Sequence, residues 1–102
     1  MHICNMERLD SFDVYALSNA TIAKDLGERF RLYRTALGLT QKEISHQTGI
    51  SVMTILRFEK GAGNSIRLDN LIALMRSIQR LDEIDALIPE IPPSLYSKKA
   101  RR

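Results

Sequence analysis

Hydroxyl, amide and guanidinium side chains are concentrated between residues 40 and 60, where one glycine separates two short amphipathic segments. Gln41 and Lys42 open the first segment, and Ser51, Thr54 and Arg57 lie in the second. These groups donate and accept hydrogen bonds, but they do not form the nucleophile–base pairs that catalysis needs. Their chemistry is that of a binding surface.

Two helix starts flank the glycine. Thr40 is followed three positions later by Glu43, and this capping box predicts that a helix begins here. Gly49 tolerates a positive φ and is typical of a helix end, and Ser51 offers a second N-cap two residues later. Two helices joined by so short a turn must cross steeply, which predicts a helix-turn-helix at residues 41–60.

Such a motif binds DNA by placing its second helix in a major groove, while the first helix crosses the backbone. Ile44, Ile50 and Ile55 are the predicted apolar anchors of the motif. The predicted solvent face of the second helix consists of Val52, Met53, Leu56 and Arg57. The alternative is an ordinary helical hairpin inside an all-α core, in which the caps and the glycine serve packing alone.

Positive charge is concentrated around the motif, although the chain of 102 residues has a formal net charge of only +3. Residues 24–67 carry eight basic and four acidic side chains, and residues 98–102 add four basic ones. Residues 68–97 are acidic, with five acids against two basic side chains. This distribution favours a polyanionic partner such as double-stranded DNA.

The composition argues against several other classes of protein. No apolar run approaches the about 18 residues of a membrane span, so we expect a cytoplasmic protein without a signal peptide. Cys4 is the single cysteine, and His2 and His46 lie far apart, so no metal site or cofactor is expected. Without a nucleophile–base pair or a phosphate-binding glycine loop, we expect no catalytic residues and no enzymatic activity.

A helix is predicted before the motif, after an N-terminal arm. Residues 1–18 have no sustained apolar period, which is typical of an arm with at most a short strand or turn. The helix is predicted to begin at Asn19 or Thr21 and to end at Gly38. Its apolar residues, three or four positions apart, are Ile22, Leu26, Phe30, Tyr33 and Leu37.

Two more helices are predicted after the motif, so the fold class is all-α with five helices in residues 19–88. A polar, glycine-rich loop from Lys60 to Arg67 leads into the fourth helix and is expected to lie beside the DNA backbone. The apolar residues of the fourth helix are Leu68, Leu71, Ile72, Met75, Ile78 and Leu81. The fifth helix begins at the acidic pair 82–83 and ends before Pro89.

Residues 89–102 are predicted to form an extended, proline-containing segment and a basic tail. The tail is either a protein-binding segment or a non-specific DNA arm. The fourth and fifth helices carry more apolar side chains than so small a core needs. They either form a homodimer interface or close the core of the monomer.

Residues 30–88 resemble the lambda-repressor-like, Cro/CI or Xre type of DNA-binding domain. The matching strings are F-R-x-x-R-x-x-x-G-L-T-Q-x-E-I-S, T-G-I-S, T-I-x-R-F-E-x-G and L-D-N-L-I-A-L. This resemblance implies a five-helix domain that reads a palindromic operator as a two-fold dimer. It also implies that Gln41 grips a phosphate and braces the second helix of the motif.

The resemblance assigns base reading to the start of that second helix, at Val52, Met53 and Thr54, with Arg57 one turn later. Many relatives have polar residues at positions 52 and 53, which can form bidentate hydrogen bonds to guanine or adenine. The apolar pair here cannot form them, and contact with thymine methyl groups is what remains. The expected base-edge contacts come from Ser51, Val52, Met53, Thr54 and Arg57. The expected phosphate contacts come from Gln41, Lys42, Lys60, Asn64 and Arg67.

The string D-E-I-D-A-L-I-P-E-I-P-P-S and the basic residues after it resemble HipB-type antitoxins more narrowly. That resemblance implies a repressor of its own operon that also binds a HipA-like kinase toxin, or a split toxin of two subunits. The alternatives are a phage or mobile-element regulator without a toxin partner, and an interaction module whose main role is to sequester a toxin.

Overall fold

The computed structural model describes residues 14–61 and 66–95, and within these ranges the protein is helical with no β-strand. The helices are α1 (Asn19–Ala36), α2 (Gln41–Thr48), α3 (Val52–Glu59), α4 (Leu68–Ser77) and α5 (Leu81–Asp85). They occupy the five stretches that the sequence predicts to be helical. Residues 93–95 are helical as well, so five is not the full number. None of these helices is long and apolar enough to cross a membrane.

One small apolar core joins the first four helices. Its buried side chains are Phe30, Ile44, Ile50, Ile55, Phe58, Leu74 and Ile78. The predicted anchors Ile44, Ile50 and Ile55 all belong to it, which confirms this part of the motif's predicted packing. Because α3 packs against both α1 and α2, its position depends on each of them.

The buried face of α1 differs from the predicted one. Three residues of the predicted apolar face are nearly half exposed, namely Leu26, Tyr33 and Leu37. The residues that α1 does bury are Gly27, Phe30 and Arg34. These share a face because they lie three and four positions apart. An apolar pattern alone misplaced this face, since two of its three contacts are made by a glycine and an arginine.

The fourth helix is shorter than the sequence predicts, because the apolar pattern continues to Leu81. It ends at Ser77, and Gln79 takes a positive φ of 63°, which turns the chain before α5 begins. Leu74, which is absent from the predicted apolar face, is fully buried, whereas Leu68 is 62% exposed. The turn at Gln79 places Leu81 in a separate helix that packs on α4.

The described ends of the chain contain turns. The Leu17 N–H donates to the Val14 carbonyl oxygen at 3.2 Å in a turn, but Val14 itself is helical, which differs from the arm with at most a short strand or turn that the sequence predicts. Residues 89–92 have no regular structure. The prediction of an extended segment was wrong for residues 93–95, which are helical. Proline is compatible with the start of a helix, which explains the difference. Residues 1–13, 62–65 and 96–102, and with them Asn64 and the basic tail, lie outside the described residues.

Candidate nucleic-acid interface

The first helix of the motif begins at the predicted capping box. The Thr40 hydroxyl oxygen accepts the Glu43 N–H at 3.0 Å, and the Glu43 carboxylate accepts the Thr40 N–H at 2.8 Å. The helix ends at Gly49, whose φ is 80° and whose N–H donates to the Ser45 carbonyl oxygen. Both predicted ends of α2 are therefore confirmed, and each rests on the residue type that this backbone geometry favours.

The second helix begins with a hydroxyl cap. Ser51 Oγ accepts the Thr54 N–H at 3.1 Å, and the Ser51 and Thr54 hydroxyl oxygens are 3.0 Å apart. In the turn before it, the Ile50 N–H donates to the Thr48 hydroxyl oxygen at 3.1 Å. The turn is thus closed by its own side chains, and it fixes the angle between α2 and α3.

One edge of α3 is exposed and partly apolar. The Val52 and Met53 residues are 41% and 53% exposed, and Arg57 is exposed one turn later. Ile55 and Phe58 are buried on the opposite side. The helix therefore presents two apolar side chains and a guanidinium outward, a combination that fits thymine methyl groups and guanine acceptors in a major groove.

A buried ion pair holds this helix against α1. Arg34 Nε donates to Glu59 Oε2 at 2.6 Å, and Arg34 Nη2 donates to Glu59 Oε1 at 2.9 Å. The remaining Arg34 Nη1 donates to the Leu39 carbonyl oxygen at 2.8 Å, just before α2. Gln41 Nε2 also donates to Glu59 Oε1, at 3.0 Å. One carboxylate therefore connects the ends of α1, α2 and α3.

The comparison with protein families agrees with this geometry. A family model described as helix-turn-helix matches residues 30–83, which is more than half of the chain. The chain belongs to the Cro/CI-type helix-turn-helix family. Comparison with curated proteins gives no match. The matched residues extend from Phe30 in α1 to Glu83 in α5, so the motif and its supporting core are both included.

As a member of the helix-turn-helix family, the protein is a DNA-binding transcription regulator. Of the residues predicted to contact phosphates, Gln41, Lys42 and Lys60 lie in the motif. Lys42 and Lys60 are exposed, at the start of α2 and directly after α3. Gln41 is half-buried, and its hydrogen bond to Glu59 is consistent with the bracing role that the resemblance implies. The amide oxygen accepts hydrogen bonds and the nitrogen donates them, so the second N–H of Gln41 remains the donor available for a phosphate.

Arg67 has a carboxylate partner that the sequence did not predict. Its Nε and Nη2 atoms donate to the two carboxylate oxygens of Asp69, each at 3.0 Å. This hydrogen-bonded guanidinium lowers the pKa of Asp69 below its usual range. Arg67 is the N-cap residue of α4 but makes no side-chain cap bond, so its group is held by Asp69 instead. A phosphate contact from Arg67 would have to compete with that carboxylate.

Sequence reasoning missed Arg34 and Glu59 as a pair. Each is charged and lies at a position of its helix that faces the core, 25 residues apart in sequence. Arg34 follows Phe30 by four positions, so it falls on the buried face of α1. A charged side chain at core spacing in each of two helices was the pattern from which the pair could have been inferred.

Proposed function

We propose that this helix-turn-helix protein is a sequence-specific repressor that binds a palindromic operator as a homodimer. The observation that carries the proposal is the outward edge of α3, where Val52, Met53 and Arg57 are exposed on a helix fixed at both ends. Its cap at Ser51 and the ion pair of Glu59 hold its orientation. A rigid helix with an exposed edge suits base reading without rearrangement.

In this proposal the base edges meet the start of α3 and the phosphates meet the surrounding residues. Two α3 helices, about 34 Å apart, enter successive major grooves of the operator. The apolar pair contacts thymine methyl groups, and Arg57 donates to guanine. Gln41, Lys42 and Lys60 contact phosphates, which fix the register of the helix but carry no sequence information.

Replacing Arg57 with alanine is expected to remove one base-specific contact. The loss is about 1–3 kcal/mol at one base pair of each half-site, because a bidentate arginine contact discriminates by that amount. The measurement is selection of binding sites from a random duplex library by the full chain and by the variant. The profile of the variant should lose its preference at one position of each half-site and keep the rest.

Arg76→Ala is the matched control, since Arg76 is exposed on α4 and lines a groove with residues of α2 and of the connection before it, rather than with α3. It removes the same charge and should leave the selected profile unchanged. A profile that is identical for the wild type and Arg57→Ala contradicts the role of Arg57. If no sequence is selected by the wild type, the proposed function as a sequence-specific repressor is contradicted.

We further propose that the protein is the antitoxin of a HipA-like kinase toxin. The supporting observation is the exposed apolar surface that follows α5, where Leu87 and Ile88 are 62% and 84% exposed. Apolar side chains exposed to this degree next to each other suit a protein partner. The acidic α5, with Asp82, Glu83 and Asp85, complements a basic partner surface.

The antitoxin proposal is tested with a HipA-like kinase encoded beside the gene, if one is present there. Co-expression should give a stable complex in which autophosphorylation of the kinase falls. The double variant Leu87→Ser with Ile88→Ser should weaken that complex at least tenfold and leave DNA binding intact. A kinase that neither binds nor responds, or a genomic position among phage structural genes, favours a regulator without a toxin.

A further inference from the structure

A groove of about 440 Å³ lies between α1 and α3, beside the proposed DNA-reading edge. Its lining residues are Lys24, Glu28, Arg31, Arg34, Gln41, Leu56, Glu59 and Lys60. Four of these are basic and two are acidic, so the groove carries a net charge of two positive units. Of these lining residues, the sequence predicts a DNA contact only for Gln41 and Lys60.

Both acidic residues of the groove are already paired. Glu28 accepts from Arg31 at 3.0 Å, and Glu59 accepts from the buried Arg34 at 2.6 Å. In the described parts of the chain, neither Lys24 nor Lys60 takes part in an ion pair. The excess positive charge of the groove is therefore carried by these two ammonium groups.

The absence of a side chain at Gly61 allows Lys24 to lie close to the end of α3. A Cβ atom placed on Gly61 would lie 2.6 Å from Lys24 Cγ and 3.1 Å from Lys24 Cα. Because Gly61 has no side chain, the stem of Lys24 packs directly on the chain next to Lys60. Two lysines that are 36 positions apart in sequence thereby line the same groove.

The groove between α1 and α3 lies on a flank of α3 along which a phosphate backbone would run if α3 enters a major groove. At 100° per residue, Leu56 and Lys60 lie on the flank of α3 that adjoins α1, whereas Thr54 and Arg57 lie on the other flank. A major groove is about 12 Å wide, so a helix about 10 Å across fills it and has a phosphate backbone along each flank. Gln41, for which a phosphate contact is proposed, lines the same groove.

We propose that this groove binds a phosphodiester of the operator backbone and that Lys24 is a DNA-positioning residue. The inference rests on the proposed operator binding and adds a contact from α1 to those of the motif. Lys24 neutralises this phosphate from the α1 wall of the groove, and Lys60 and Gln41 meet adjacent phosphates of the same strand. This fixes how deeply α3 enters the major groove and contributes no sequence preference.

The test is the salt dependence of duplex binding by the full chain, measured by fluorescence anisotropy on a labelled duplex recovered by selection. Each phosphate contact contributes about 0.9 to the slope of log K against log salt concentration. Lys24→Gln should therefore lower the magnitude of this slope by about 0.9, with an equal effect on a selected and an unselected duplex. Circular dichroism should be unchanged, because Lys24 is exposed.

Arg29→Gln is the matched control. Arg29 lies on α1, away from the groove, in an ion pair with Asp25, and its replacement removes the same charge. It should leave the slope unchanged. Equal effects of the two substitutions, or no effect of Lys24→Gln on a duplex that the wild type binds, would overturn the groove contact and leave the repressor intact. A wild type that binds no duplex contradicts the proposed function itself.

A duplex with single neutral methylphosphonate linkages identifies the phosphate. One position in each half-site should weaken binding of the wild type about as much as Lys24→Gln does. The variant should be insensitive to the linkage at that position and fully sensitive at the others. If the variant remains sensitive at every position, Lys24 does not contact the backbone.

Discussion

Replacing Glu59 with alanine is expected to destabilise the domain by about 3–5 kcal/mol, because it leaves the buried Arg34 guanidinium without its counter-charge. The side chains of Glu59 and Arg34 are only 1% and 11% exposed, so water replaces the lost carboxylate poorly. Gln41 loses its acceptor as well. Small domains are stable by about 5–15 kcal/mol in total, so this single change removes a large part of the stability. Urea denaturation followed by circular dichroism measures it.

The matched control for Glu59→Ala is Glu28→Ala, which removes an equivalent carboxylate from the exposed pair with Arg31. We expect a much smaller change there, because exposed ion pairs contribute little. A second variant, Arg34→Met with Glu59→Leu, replaces both charges and should recover part of the loss. If Glu59→Ala unfolds at the same urea concentration as Glu28→Ala, the buried pair does not support the fold.

The motif could be predicted from the sequence because its determinants are local. The capping box at Thr40, the left-handed Gly49 and the cap at Ser51 each act within four residues, and all three have the expected geometry. The anchors Ile44 and Ile55 were predicted for the same reason, since one helical period places each of them on the buried side.

The supporting contacts could not be predicted in this way because they join residues that are distant in sequence. Arg34 and Glu59 each lie at a core-facing position of their own helix, but that they pair with each other follows only from the packing of α1 against α3. Lys24 enters the candidate interface only because Gly61 lets its stem lie against the end of α3. Local patterns therefore predicted the two helices of the motif and their ends, whereas tertiary packing determines what holds the second helix and what flanks it.

Gly27→Ala is expected to destabilise the domain by about 3 kcal/mol or more, at the upper end of the range for overpacked cores. A Cβ atom on Gly27 would lie 1.8 Å from the Phe58 carbonyl oxygen and 3.2 Å from Glu59 Cα. All of these neighbours are backbone atoms of α3, so a change of side-chain rotamer cannot relieve the overlap. The helix α1 must move away from α3, although alanine would favour a helix by about 1 kcal/mol over glycine.

Ala20→Gly is the control for helix propensity, since Ala20 is exposed in α1 and has no core contact to lose. It should cost at most about 1 kcal/mol, in the direction opposite to the propensity gain of Gly27→Ala. Urea denaturation compares the two. If Gly27→Ala is as stable as the wild type, α1 does not approach α3 this closely. If it is less stable but folded, its affinity for a selected duplex should also fall, because α1 and Glu59 hold the proposed DNA-reading edge of α3 in place.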